Sequence, residues 1–330
     1  MSKDYDKENV ELFLEDSQFQ KSIRKARVKA IFKNVFLTLI TLTIIVVLLL
    51  NCNKYLIDKR MKKASSSFDI WTEISNPNLQ GTGSHYTWNL TNTQMTLEFQ
   101  KMIGDRPIPW NNVQGKFTAF HSPQLSYSNT NGYYDKKEKR WVNYNSKNGQ
   151  REMVFYHPDV NYKSLTDDLS LLANIPSNKY IEMAVSFDQS YSFEQIQKLL
   201  GTHDLNWLWV NTQSDSTIES LNKQIKKNGH VDVPFSGNVG VYGYRFSASS
   251  QTTPQNFINK VKKLQKDQSF YYSQEVDDIM KQLKKDNPSL DSDNLKIIGA
   301  VVTGTPEELK KYQNKSFIRA SSLGATVDKY

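Results

Sequence analysis

The sequence predicts an α+β protein: a single N-terminal transmembrane helix followed by an extracytoplasmic mixed sheet with helices packed on one face. Three observations predict it. Residues 35–50 read VFLTLITLTIIVVLLL, sixteen positions without a charge. The rest of the 330-residue chain carries short period-two apolar patterns, joined beyond residue 175 by helical patterns that open on capping boxes. Finally, 38% hydrophobic and 12% aromatic residues suffice for a core, and 14 Gly and 10 Pro exclude a collagen-like or proline-rich chain.

The N-terminal elements follow from charge and hydropathy. Residues 1–20 carry a net charge of −4 and residues 21–34 a net +6. Phe19, Ile23, Ala26 and Ala30 recur at helical spacing, so a helix starts near Asp16 or Ser17 and runs into the apolar stretch. Residues 1–30 form a short cytoplasmic segment and residues 31–53 the transmembrane helix, since about 20 residues cross a hydrocarbon core. The thirty-odd residues ahead of the apolar run are too many for a cleaved signal peptide, so the span is an uncleaved anchor. Six Lys and Arg precede the span and five follow it, a bias that puts the N-terminus inside. Residues 54–67 read as a basic juxtamembrane linker ending in Ser65, Ser66 and Ser67.

The remainder divides in two. Residues 68–165 are strand-rich, with candidates at 93–99, 116–120, 140–144 and 152–157. Asn148-Gly149 marks a hairpin between the last two and Asn131-Gly132 another turn. Residues 166–330 read as an α/β part. Ile181, Met183, Val185 and Phe187 alternate as in a half-buried strand. Ser192 with Gln195, and Thr305 with Glu308, are capping boxes. Thr253-Pro254 and Ser273 open two further helices, and residues 205–209, 241–247, 296–303 and 316–321 are strands.

No pattern in the chain carries catalysis. Cys52 is the lone cysteine, and His85, His121, His157, His203 and His230 stand at no metal-ligand spacing, so no cofactor and no metal are expected. Ser220 with Lys223, and Ser292-Asp293-Asn294, match two elements of penicillin-binding enzymes, but Val302-Thr303-Gly304 lacks the lysine of the third. The chain is therefore read as a non-enzyme. The net charge of +8 first suggests nucleic acid, yet residues 65–330 hold only +2 of it. The excess is two collars around the span, which points to membrane lipid and away from nucleic acid. All six Trp follow the span, where aromatic faces fill a core or stack on sugars.

The C-terminal residues carry a family pattern. Residues 298–305 (IGAVVTGT), Glu308-Leu309 and residues 318–325 (IRASSLGA) resemble the sigma factor regulator C-terminal domain. Residues 180–187 (YIEMAVSF), Tyr191-Ser192-Phe193 and residues 205–210 (LNWLWV) resemble the start of that domain, and the stretch from Phe19 through the span resembles its N-terminal partner. The family occurs in Gram-positive bacteria and includes single-pass anti-sigma factors. The resemblance implies an outer sensing domain and an inner segment that restrains an extracytoplasmic-function sigma factor. The segment before the anchor is shorter than in better-known members and holds neither His nor Cys, so the partner is a sigma factor or a second membrane regulator. Phe13, Phe19 and Ile23 are the candidate partner-binding anchors; Gly304, Thr305 and Arg319 form the candidate family-motif loop. The alternative is a membrane-anchored ligand- or cell-wall-binding module with no sigma partner.

Overall fold

A computed structural model describes residues 17–330 apart from 122, 128–129, 137–139, 230–234, 238–239 and 247–252. The chain divides into two units, residues 1–59 and 60–330. One helix, α1 (Ser17–Ser75), supplies all the described structure of the first and opens the second.

Within the first unit the apolar run has no buried residue, as a lipid-facing segment requires. Its β-branched stretch Thr43–Val47 is a poor helix former in water. Without water a helix is the one way for a single segment to satisfy its own backbone. The hydroxyls follow the same logic. Thr38, Thr41 and Thr43 donate to the carbonyls of Asn34, Leu37 and Leu39 at 2.8–2.9 Å.

In the second unit α1 continues through the residues expected to be a linker. Ser65–Ser67 are helical because tertiary contacts outweigh their weak propensity. Met61, Phe68, Trp71 and Ile74 are all buried, a stripe at helical spacing.

Four strands then form an antiparallel sheet in chain order: β1 (Leu79–Trp88), β2 (Asn92–Ile103), β3 (Arg106–Thr118) and β4 (Gln124–Tyr127). β5 (Thr130–Asp135) and β6 (Arg140–Asn145) make a separate hairpin. Asn131-Gly132, expected as a turn, lies inside β5. Gly132 pairs with Asn143, whose side-chain oxygen would sit 2.6 Å from an added Cβ, so the glycine answers a close approach. Gly149 does form a tight turn at φ +69°, and its N–H donates to the Asn145 carbonyl. The expected strand at 152–157, however, makes, among the described residues, an isolated bridge from Phe155 to Phe235 and no longer ladder. Its alternation is real, burying Met153, Phe155 and His157. Its amides divide between backbone and side chains: Glu152 N donates to the Asn143 carbonyl of β6 and Phe155 N to the Phe235 carbonyl, whereas Val154 N donates to Ser322 Oγ at 3.1 Å and Tyr156 N to Ser186 Oγ at 2.9 Å.

The C-terminal part is a five-stranded antiparallel sheet. In chain order its elements are β7 (Lys179–Tyr191), α2 (Phe193–Leu200), β8 (Leu205–Val210), α3 (Asp215–Asn228), β9 (Tyr242–Arg245), α4 (Pro254–Gln265), α5 (Ser273–Asp286), β10 (Ile297–Gly304), α6 (Pro306–Leu309) and β11 (Ile318–Asp328). The strand order is β11-β7-β10-β8-β9, and β10 is buried at every position. Both capping boxes are made, on α2 by Ser192 and Gln195 and on α6 by Thr305 and Glu308. Trp207 and Trp209 share one face with Ile225 of α3 and the 153–160 segment. Tyr244, paired with Leu208, meets Phe257 of α4 on the other. The α+β class read from the sequence, with a long apolar N-terminal helix, is the observed one.

Candidate functional site

Two features of the second unit stand out. The first is the seat of the α1 terminus. Trp71 stacks on Tyr272 with ring centroids 4.7 Å apart and planes 13° from parallel, and Phe68 meets Phe270 edge-on at 5.3 Å. Asp267, in the α4–α5 connection, receives Lys63 Nζ at 2.6 Å and Ser67 Oγ at 2.9 Å. Burial pushes the Asp267 carboxyl up, but hydrogen bonds from Lys63, Ser269 and Ser67 outweigh it, and its pKa lies below the ordinary value. The helix end is thus held by an aromatic cluster and a buried carboxylate.

The second feature is a cleft of about 860 Å³. The β5–β6 hairpin brings Tyr134, Arg140 and Trp141 to it; the irregular segment after β6 brings Arg151, Glu152, Tyr156, Tyr162 and Lys163. Trp141 is 68% and Tyr134 48% exposed, their rings 6.0 Å apart. Arg140 and Arg151 both reach Asp168, at 2.5 and 3.2 Å, and that buried carboxylate also accepts the Leu323 amide. A cleft with aromatic walls, fixed guanidinium groups and a lysine suits a ligand that offers both ring faces and negative charge.

Glu152 forms part of the cleft wall. Burial raises its pKa, Lys101 and a 3.3 Å hydrogen bond from Asn145 oppose this, and Glu182 adds to it. A raised carboxyl pKa means that stability falls as pH climbs from the unfolded value through the folded one. Glu152→Gln is therefore expected to raise the thermal midpoint at neutral pH by ~2–4 °C and to remove that decline, leaving the midpoint at pH 4 nearly unchanged. Thermal scans across pH check this; a lower midpoint for the variant at pH 7 contradicts it.

The residues singled out from sequence fall in separate places. Phe13 lies outside the described residues. Phe19 is exposed and Ile23 half-buried, four apart on α1. Gly304 and Thr305 form the β10–α6 turn, where Thr305 Oγ1 accepts the Glu308 amide at 3.3 Å and Glu308 Oε2 accepts the Thr305 amide at 2.7 Å. A Cβ on Gly304 would stand 3.1 Å from Glu308 Oε2. Arg319 donates to the carbonyls of His157 (2.9 Å) and Pro158, and lies over the Tyr162 ring. Gly304 pairs with Ile181 and Ala320 with Ser186, so the two parts of the motif sit about 17 Å apart along β7. Sequence reasoning missed the cleft residues and the Asp267 seat. The abundance of aromatics after the span was the one signal for the cleft.

The sigma factor regulator N-terminal family matches residues 20–108, and the sigma factor regulator C-terminal family matches residues 172–325. The chain belongs to the sigma factor regulator family. No curated protein and no solved structure matches it significantly. As a sigma factor regulator with one apolar N-terminal helix, it is a single-pass membrane protein. The N-terminal match contains α1 from Gln20 onward, both sides of the span included. Most of the cleft wall in this sigma factor regulator comes from residues 132–166, between the two matched stretches.

Proposed function

We propose that this protein is an anti-sigma-factor-like regulator that couples an extracytoplasmic sensing domain to an extracytoplasmic-function sigma factor, bound directly or through a second membrane regulator. One observation carries the reading. The helix that bears Phe19 and Ile23 is the same hydrogen-bonded element that carries Trp71, in its last two turns, into the aromatic cluster of the second unit. A change in how the domain holds that end has a covalent, helical route to the N-terminal segment. The Lys and Arg bias across the span supports an inside N-terminus. Residues 1–30 then face the cytoplasm, with Phe13, Phe19 and Ile23 as anchors for the partner.

Affinity purification of the full chain in detergent, with a reporter for the cognate promoter, tests this. A sigma factor or a membrane regulator is expected to co-purify, and Phe19→Asp with Ile23→Asp should release it and raise transcription roughly tenfold, the change that ~1.4 kcal/mol of lost binding produces. Recovery of neither partner, with transcription unchanged on deletion, overturns the reading. The cleft supports a second reading, a membrane-anchored module that binds an envelope ligand without a sigma partner. In that case Trp141→Ala abolishes polymer binding and the Phe19 and Ile23 variants change nothing.

A further inference from the structure

We propose that one end of the four-stranded sheet inserts into the interfacial layer of the membrane that α1 crosses. The end is made of two turns. Trp88 pairs with Thr93 across the β1–β2 turn, and Asn92 pairs with Thr118, where β3 leaves for its own turn into β4. The two turns are therefore neighbours. They carry large apolar side chains that the fold does not bury: Phe120 is 83%, Leu90 71% and Trp88 49% exposed. Isolated exposed apolar residues are ordinary, but three at one sheet end, with Tyr86 beside Trp88, make a patch.

Three observations commit this patch to a bilayer. Arg60 of α1 donates to the carbonyls of Thr118 and Ala119, at 3.0 and 2.7 Å, which ties the β3–β4 turn to that residue. Arg60 follows Asn53, the end of the apolar segment, by seven positions, so even a fully extended chain keeps it within about 25 Å of the hydrocarbon boundary. Residues 86–93 and 116–124 contain no Asp or Glu, Lys116 among them is exposed, and exposed Lys59 and Lys62 flank Arg60 in the chain. Trp, Tyr and Leu beside lysines form the composition that settles at the headgroup level, with rings among the acyl ends and cations on the phosphates. A protein partner would need none of this nearness to the span.

The six tryptophans make the test direct, because none lies within the apolar segment. Trp71, Trp110, Trp207 and Trp209 are buried, leaving Trp88 and Trp141 exposed. The full chain is placed one copy per nanodisc in phosphatidylcholine and phosphatidylglycerol, with or without bromine on the acyl chains. Tryptophan emission is expected to fall with brominated lipid. Trp88→Phe should abolish that loss, Trp141→Phe should leave it intact, and Leu90→Glu with Phe120→Glu, both at exposed positions, should reduce it. Equal emission in the two lipids, or a loss that Trp88→Phe leaves untouched, overturns the proposal. So does a loss seen only when two copies share a disc, since a second chain then covers the patch.

Discussion

Lys101→Met should destabilise the second unit by about 3–5 kcal/mol, the usual result of stripping the partner from a buried charge. Glu182 on β7 is fully buried. Its carboxylate is held by Lys101 Nζ at 2.9 Å and by Asn78 Nδ2 at 2.9 Å, with the Ala325 amide at 3.4 Å. Lys101 Nζ also stands 4.0 Å from the centre of the Trp110 ring. Methionine preserves much of the lysine stem's volume and removes only the charge, so the loss reports on Glu182 and not on packing. The nearby Glu152 sharpens the effect, since Glu182 and Glu152 repel through space and Lys101 offsets that repulsion. Adding Glu182→Gln to Lys101→Met should recover most of the loss. Denaturant unfolding of the full chain in detergent checks both, and a single variant within 1 kcal/mol of the parent would sink the argument.

Trp71→Ala should cost a similar ~3–5 kcal/mol, the range for deleting a large buried aromatic. The indole stacks on Tyr272 and meets Tyr242 and Phe270 at 5.5 and 6.0 Å. Under the proposed function the variant does more than unfold: it frees the helix end from the domain while the apolar run still inserts. Transcription from the regulated promoter should then stop responding to envelope stress, with protein still present in the membrane fraction. Trp71→Phe keeps an aromatic ring there and should recover at least half of both the stability and the response. If Trp71→Ala loses stability but keeps a full response, the α1 terminus is an anchor only.

Much of the fold was legible because it rests on local rules. Ser192 with Gln195 and Thr305 with Glu308 announce their helices through bonds closed within four residues. The strands near 181–187 and 297–303 show in their apolar content, which tracks burial. The errors came where distant partners decide. Ser65–Ser67 looked like a linker, but the helix persists because Ser67 and Phe68 find Asp267 and Phe270 some two hundred residues on. Segment 152–157 alternates like a strand, but its Val154 and Tyr156 amides go to the hydroxyls of Ser322 and Ser186, which interrupts a ladder. The cleft and the Lys101–Glu182 pair were invisible for the same reason, since the pair is separated by 81 positions and Arg140 meets Asp168 across 28.

The inward-bonded threonines of α1 have a consequence for its company in the bilayer. Thr38, Thr41 and Thr43 spend their protons on their own backbone, so each meets a neighbouring helix as an acceptor and not as a donor. Residues 35–50 hold no Gly, Ala or Ser, so these three threonines are the small residues of the segment at which a second helix can approach closely. Elsewhere the run meets hydrocarbon with bulky apolar side chains alone. A partner helix in the bilayer therefore has to bring the donor, and to bring it to the level of Thr38–Thr43.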